Sequence, residues 1–298
     1  MPASRVSFIN YKGGVGKTTL AVEIATAVAA WVRKPRPVRV LLCDLDPQSN
    51  ASLYLMGADK WDRWVNDHGS VLDLFEKRLG QEGDVDLCPL IYPWRDDYGR
   101  VRIDLLPSHP RLMLIEARLA ARFGPDNMQA ALILDKAIKQ VVQKEAYELV
   151  IFDCPPNLGF VTQNALAASS SYVIIAMPEF LSTLGIETLL GFVEEYNRKW
   201  KEHAQQLGGD FTGPELKGII FNRVRYLTGG TRSQEAIMER VRQGKLGHYV
   251  FKSVISETDR FPQRAELNAP IVLSPYARDE SYKEQVEEVA WEFIEKVI

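Results

Sequence analysis

The chain has 298 residues, of which 46% are hydrophobic and 25% charged, and a formal net charge of −3. This is the composition of an ordinary globular protein long enough to bury a substantial core, and its mildly acidic balance gives no bulk reason to expect nucleic acid, although a local basic face can still bind it. The three cysteines, Cys43, Cys88 and Cys154, form no C-x-x-C pair and no metal spacing with histidine, which points to a reducing cytoplasm and excludes a disulfide framework or an iron–sulfur cluster.

Residues 5–10, "RVSFIN", read as a strand that runs straight into "YKGGVGKTT". A strand so near the N-terminus leads us to expect no signal peptide. Residues 17–32 are Ala-rich and apolar on most sides, the pattern of a deeply buried helix, and "KPRP" at 34–37 stops it. Residues 38–46, "VRVLLCDLD", are a nearly continuous apolar run ending in acid, as in a parallel strand covered on both faces. From 57 to 107 the pattern weakens. There Trp61, Trp64 and Trp94 sit in an Asp-rich setting, with a short helix expected at 71–79 and a strand at 101–108.

Helical patterns follow at 111–123 and 127–143, then a clear buried strand at 147–156. A helix at 162–168, a strand at 171–178, a helix at 183–203 and strands at 216–224 and 249–256 come next. The tail, 278–298, is an acidic amphipathic helix. Strands alternating with helices predict an α/β fold, a mostly parallel twisted sheet with helices on both faces. No repeat or linker is evident, so residues 1–298 are expected to form one domain, with 57–107 its least typical part. No apolar run approaches the roughly 20 residues of a membrane-spanning helix.

In "KGGVGKTT" the glycines Gly13, Gly14 and Gly16 permit backbone conformations that other residues resist. Successive N–H groups can then face phosphate oxygens, and the helix starting near Lys17 adds its positive dipole end. Lys17 is expected on the β- and γ-phosphates and the Thr18 hydroxyl on Mg²⁺. A glycine turn with only a packing role does not account for strand, loop, Lys-Thr and helix in that order. The pattern G-x-x-x-x-G-K-[ST] nevertheless fails at its first position, where the chain has Tyr11, and a second lysine, Lys12, precedes the glycines.

The loop fits K-G-G-x-G-K-[ST]-T instead, and this resembles the deviant Walker A motif of the ParA/MinD family of P-loop ATPases. The resemblance covers most of the chain. "LLCDLDPQSNAS" matches the family's D-x-D-P-Q-x-N, "VIFDCPP" its Walker B, and "MPEFLSTLGIETL" its P-x-x-x-x-x-x-G segment, which contacts a partner subunit. The resemblance implies a P-loop NTPase architecture, ATP and Mg²⁺ as cofactors, and ATP hydrolysis by a homodimer closed on two nucleotides. Gly13, Gly14, Val15, Gly16, Lys17, Thr18 and Thr19 would hold the nucleotide, and Lys12 would reach the partner subunit's ATP. Asp46 would position the attacking water, and Asp44 beside it would lie near the metal through water. Asp153 would hold Mg²⁺ through water at a strand's C-terminal end, where open α/β sheets bind ligands. Asn222, in "GIIFNRV", would read adenine. Taken on the residues alone, Lys12 also admits a reading as a solvated loop charge, Asp44 and Asp46 as a solvated strand end, and Asn222 as a strand cap. Whether the Pro155–Pro156 bond is cis is not readable from sequence.

Within the family, three branches compete: DNA-partitioning ParA, membrane-binding MinD, and metabolic or cluster-handling relatives. The C-terminal helix carries Glu284, Glu287, Glu288, Glu292 and Glu295, which an anionic membrane repels, so no membrane partner is expected and the helix should pack on the sheet. The missing C-x-x-C argues against a cluster carrier. About ten residues precede the loop, too few for a helix-turn-helix, so DNA binding is expected to be non-specific. The candidate contacts are Arg223, Arg225, Arg240 and Lys245, in a locally basic stretch that also holds Arg232, Arg242 and Lys252; a solvated helix face explains the same charges. The ParA-like reading implies a cytoplasmic, nucleoid-associated ATPase. It would act with a ParB-like or adaptor protein on a plasmid, a chromosome region or a protein assembly. Residues 57–107 would recognise the partner or merely elaborate the fold.

Overall fold

The computed structural model describes residues 3–30, 38–80, 83–124, 128–206, 208, 210–225 and 231–298, and their side chains except those of 180–184 and 231–233. The "KPRP" breaker at 34–37 and the side chain of Arg232 lie outside the described residues. Seven strands form one sheet: β1 (Ser4–Ile9), β2 (Val40–Asp44), β3 (Tyr92–Arg95), β4 (Arg102–Leu106), β5 (Leu149–Asp153), β6 (Ser171–Ala176) and β7 (Glu215–Phe221). Their order is β3-β4-β2-β5-β1-β6-β7. Neighbours run parallel except β3, which pairs antiparallel with β4.

The helices are α1 (Lys17–Ala29), α2 (Asn50–Met56), α3 (Ala58–His68), α4 (Val71–Leu79), α5 (Met113–Phe123), α6 (Met128–Ala131), α7 (Ile133–Glu145), α8 (Phe160–Ala168), α9 (Phe180–Gln206), α10 (Thr231–Gln243), α11 (Arg260–Glu266) and α12 (Glu280–Val297). Alternation along the strands divides the core into two layers. Val6, Phe8, Val40, Leu42, Leu149 and Ile151 face the layer built from α1, α2 and α12. Leu41, Cys43, Val150, Phe152 and Ile174 face the layer of α4 to α9. Strands buried on both sides read as unbroken apolar runs, which is why β2, β5 and β6 were readable. In α12, Val286, Val289, Ala290 and Phe293 are buried, and Phe293 meets Phe8 edge-on at 5.7 Å, so the acidic helix does pack on the sheet.

Three expectations change. The strand expected at 249–256 is an irregular extended segment. Phe251 N–H donates to Ile219 O at 2.9 Å and Ile255 N–H to Phe221 O at 3.2 Å, but only isolated bridges form, at Val250 and Ser256. The buried Glu292 carboxylate accepts the N–H groups of Lys252 and Ser253, and Gln285 accepts that of Ser256, so these amides are lost to a ladder. The helix expected over 127–143 is divided into α6 and α7. Asn164 takes both sides of the break, donating to Ala130 O at 2.7 Å and accepting Leu134 N–H at 3.0 Å. Finally, 57–107 holds a helix and a strand that its composition hid, α3 and β3. Among the described residues no peptide bond is cis, Pro155–Pro156 included.

Candidate functional site

The parallel register brings the motif acids together. Asp44 pairs in line with Asp153, and Asp153 with Phe8, so three strands end beside the loop that joins β1 to α1. In that loop Gly14 and Gly16 have φ of 73° and 86°, where an L side chain is strained. At Gly16 space forbids one as well, because a Cβ would collide with the Asn222 carboxamide. Asn222 follows β7, is buried, and donates Nδ2 to Val15 O at 2.8 Å. Arg223, at φ 56°, donates Nη1 to Gly14 O at 2.9 Å. The loop is thus braced from behind by two consecutive residues more than 200 positions away in the chain. Asn222, expected on adenine, holds the loop in this arrangement.

Lys17 is buried beneath the loop, with Nζ 3.5 Å from Lys12 O. Burial lowers its pKa, while the charges of Asp153, Cys154 and Asp46 pull the other way. Asp153 is fully buried, and neither carboxylate oxygen has a hydrogen-bond partner. Burial, then the neighbouring Asp44 carboxylate, raises its pKa well above the usual range, against the pull of the Lys17 ammonium. Two orphaned acceptors beside the Thr18 hydroxyl fit a hard divalent cation. Among the described residues no three His, Cys, Asp or Glu side chains could hold a metal by themselves, so phosphate and water oxygens would complete its shell.

Asp44, expected near the metal through water, stands beside Asp153 and is engaged by its own loop. Its Oδ2 accepts Ser52 N–H at 2.8 Å and Ser52 Oγ at 2.7 Å, and its Oδ1 accepts Asp46 N–H at 3.2 Å. It therefore shapes the loop that presents Asp46. Burial raises its pKa to about 7. Asp46 accepts Gln48 N–H at 2.9 Å and lines the open side of the cavity.

Lys12 turns away from its own loop. Its Nζ lies 2.5 Å from Glu179 Oε2, both side chains about two-fifths exposed. Tyr11, in place of the usual first glycine, packs its hydroxyl so closely on Gly185 that a Cβ there would collide with it. The loop's departure from the standard motif and the glycine of the P-x-x-x-x-x-x-G segment are two halves of one contact.

The cavity over the loop encloses about 650 Å³. Its far wall is Ser256 to Asp259 with Phe261, Pro262 and Glu266, which sequence reasoning missed. The rule that ligands gather beyond strand C-termini, applied to the apolar run 249–256, would have found it. Of the two arginines expected on DNA, Arg223 lines this cavity and Arg225 lies just beyond it in the chain, outside the lining. Both pair with Glu257, Arg223 Nη2 at 2.9 Å and Arg225 through Nε and Nη2, because the chain after β7 turns back over the loop. Arg240 and Lys245 are exposed on and after α10.

A family model described as "AAA domain" matches residues 3–206. The sporulation initiation inhibitor protein Soj of Bacillus subtilis is 30% identical over 287 residues, spanning 96% of this chain and 97% of its own. The structure of a Cyanothece McdA variant in complex with ATP superposes with a TM-score of 0.72, covering 98% of this chain and 95% of that one at 18% identity. Cobyrinic acid a,c-diamide synthase from Mycobacterium smegmatis, with bound ATP analog and magnesium, gives 0.61 over 89% and 93% of the two chains at 26% identity. Among the described residues no helix is long and apolar enough to cross a membrane.

Proposed function

The chain belongs to the ParA/Soj family of P-loop ATPases, and from that premise we propose that it closes as a homodimer on two ATP molecules and hydrolyses them while positioning a cargo. Backbone N–H groups of Gly13 to Thr19 hold the phosphates, Lys17 neutralises them, and Asp46 orients the attacking water. Mg²⁺, held by Thr18 and, through water, by Asp153, would offset charge on the phosphate oxygens. One observation carries the dimeric reading. Lys12 leaves its own loop and leans toward the segment that holds Glu179 and Gly185, whereas Lys17 alone lies under the local phosphate site. A lysine so placed can serve a second nucleotide across an interface, where two ATP molecules would otherwise repel.

On this reading residues 1–298 act as one unit, in the cytoplasm and on the nucleoid when ATP is bound. Non-specific DNA binding would fall to the exposed Arg240 and Lys245 with their basic neighbours, joined by Arg223 and Arg225, which stay exposed in their pairs with Glu257. A ParB-like or adaptor protein would stimulate hydrolysis, and the 57–107 segment is one surface it could read. The experiment is sedimentation of Lys12→Ala with ATP and Mg²⁺. It should bind nucleotide through Lys17 yet remain monomeric; a Lys12→Ala dimer of parental stability refutes the cross-interface role. The likeness to cobyrinic acid a,c-diamide synthase favours a second reading, a small-molecule ligase. ATP turnover that demands a carboxylic acid acceptor and ignores DNA would establish it.

A further inference from the structure

Behind the cavity wall lies a second polar centre that this chemistry does not use. Glu23, on the same helix as Lys17, is completely buried. Its Oε1 accepts the Tyr54 hydroxyl at 2.5 Å and Ile271 N–H at 2.8 Å, and its Oε2 accepts Val272 N–H at 3.2 Å. Donors from α2 and from the turn after α11 thus converge on one carboxyl of α1. A buried carboxyl costs several kcal/mol against an apolar residue of the same size, so it needs a counterpart in specificity or function.

Tyr54 lines the nucleotide cavity with Asn50 and Leu53, all on α2. That helix begins directly behind Asp46: Ser49 N–H donates to Asp46 O at 2.8 Å, and Ser52 holds Asp44. The other end of α2 is held by Asn268, at φ 52°, whose Nδ2 donates to Leu53 O at 2.9 Å and to Tyr54 O at 3.3 Å. Asn268 and the 271–272 turn follow α11, whose Phe261, Pro262, Ala265 and Glu266 form the opposite wall of the cavity. One polar path therefore joins the phosphate-loop helix, the helix behind Asp46 and the far wall, with Glu23 at its junction.

We propose that Glu23 and Tyr54 are positioning residues for ATP turnover: by holding Tyr54 and the 271–272 turn to α1, the Glu23 carboxylate seats α2 and so places Asp46 against the γ-phosphate. The inference rests on the ATPase reading above. Three donors face the group, so its ionised form uses all of them. A protonated Glu23 must instead direct a proton at Tyr54 Oη and turn the phenol proton away. Burial holds the carboxyl up at about 7, against the three hydrogen bonds and the charge of Arg264. Tyr54 on α2 and Arg264 on α11 are the titratable and charged groups that face it among the described residues, and Arg264 is itself committed, donating Nε to Ala269 O at 2.9 Å. As the pH rises through this range all three donors come to point at the carboxylate, which orders the junction even though the buried charge costs the fold stability.

The test is ATP hydrolysis by the full chain with Mg²⁺ from about pH 6 to 8, for the parent, Glu23→Gln and Tyr54→Phe, with ATP affinity and melting temperature measured alongside. Both variants should keep ATP affinity within about twofold and lose about tenfold in kcat at the alkaline end. The ratio of parental to Glu23→Gln rate should rise with pH through about 7. Asp44, also held up at about 7, titrates in both proteins and cancels in that ratio. A merely structural Glu23 would lower the melting temperature and leave the ratio flat. If Glu23→Gln does not fold, Tyr54→Phe, which removes one oxygen, decides by its kcat alone. A flat ratio, or parental kcat in Tyr54→Phe, overturns the inference and leaves the ATPase reading intact. A parent that cleaves no ATP overturns both.

Discussion

The phosphate loop and the 57–107 segment hang on the same sheet, yet they are held by opposite kinds of contact. The loop is fixed by polar groups at close quarters: two positive-φ glycines, the Asn222 and Arg223 braces, and Lys17 buried among Asp46 and Asp153. In the segment, α3 has no fully buried residue and is moored by aromatic rings. Trp61 Nε1 donates to Ser108 O and Trp64 Nε1 to Leu90 O, each at 3.1 Å, and Trp64 stacks on His68 at 3.8 Å. Rings anchored at one edge tolerate sliding, whereas converging hydrogen bonds do not. Substitutions in the loop should therefore abolish chemistry in a folded protein, and substitutions in the segment should loosen the fold locally and spare the chemistry.

The sharpest test of that contrast is Lys17→Ala. Removing the one buried cation under the phosphates should weaken ATP binding by about a thousandfold, measured by calorimetry, with the melting temperature within a few degrees of the parent. Its companion Asp46→Ala should bind ATP normally and cleave it about a hundredfold more slowly, so that ATP-bound dimers accumulate in light scattering. Equal cleavage by Asp46→Ala would remove that residue from the mechanism.

The next effect is in stability and depends on pH. Glu23 titrates at about 7 in the folded chain against 4.5 in the reference state. A raised carboxyl pKa means that its stabilising contribution is complete below 4.5 and is lost as the pH rises through 7. Urea unfolding of the parent at pH 5 and pH 8 should therefore differ by about 3 kcal/mol more than that of Glu23→Gln. The same difference in both proteins would show that the folded carboxyl titrates normally.

The smallest effect belongs to the other region. Trp64→Ala removes a half-buried ring, its stack on His68 and one hydrogen bond, and should lower stability by about 2 kcal/mol. ATP affinity and basal hydrolysis should stay at parental values. Loss of stimulation by a partner with basal turnover intact would assign α3 to partner recognition.

Much of the site was readable because its motifs are short and sit at strand ends. Lys17, Thr18 and Asp46 line one cavity, and Asp153 ends the strand beside Asp44, so the motifs meet around one loop. The pairing of Arg223 and Arg225 with Glu257 was not readable, because a basic residue carries no record of which acid it will meet, and Glu257 lies more than 30 positions further on. The 249–256 run has the composition of a strand, but a carboxylate on α12 claims its amides.

By itself the sequence determined the alternating α/β order, the two-layered core and the phosphate loop, because hydrophobic period and glycine φ are properties of a few neighbouring residues. Only the tertiary structure decided that Asn222 and Arg223 brace the loop, that Asp44 shapes the turn presenting Asp46, and that residues 256–266 close the cavity. It also decided that Glu23 joins three elements. Each of these is a hydrogen bond or a steric limit between segments that the chain separates and the sheet register brings within about 3 Å, and distance in space is what a local pattern does not encode.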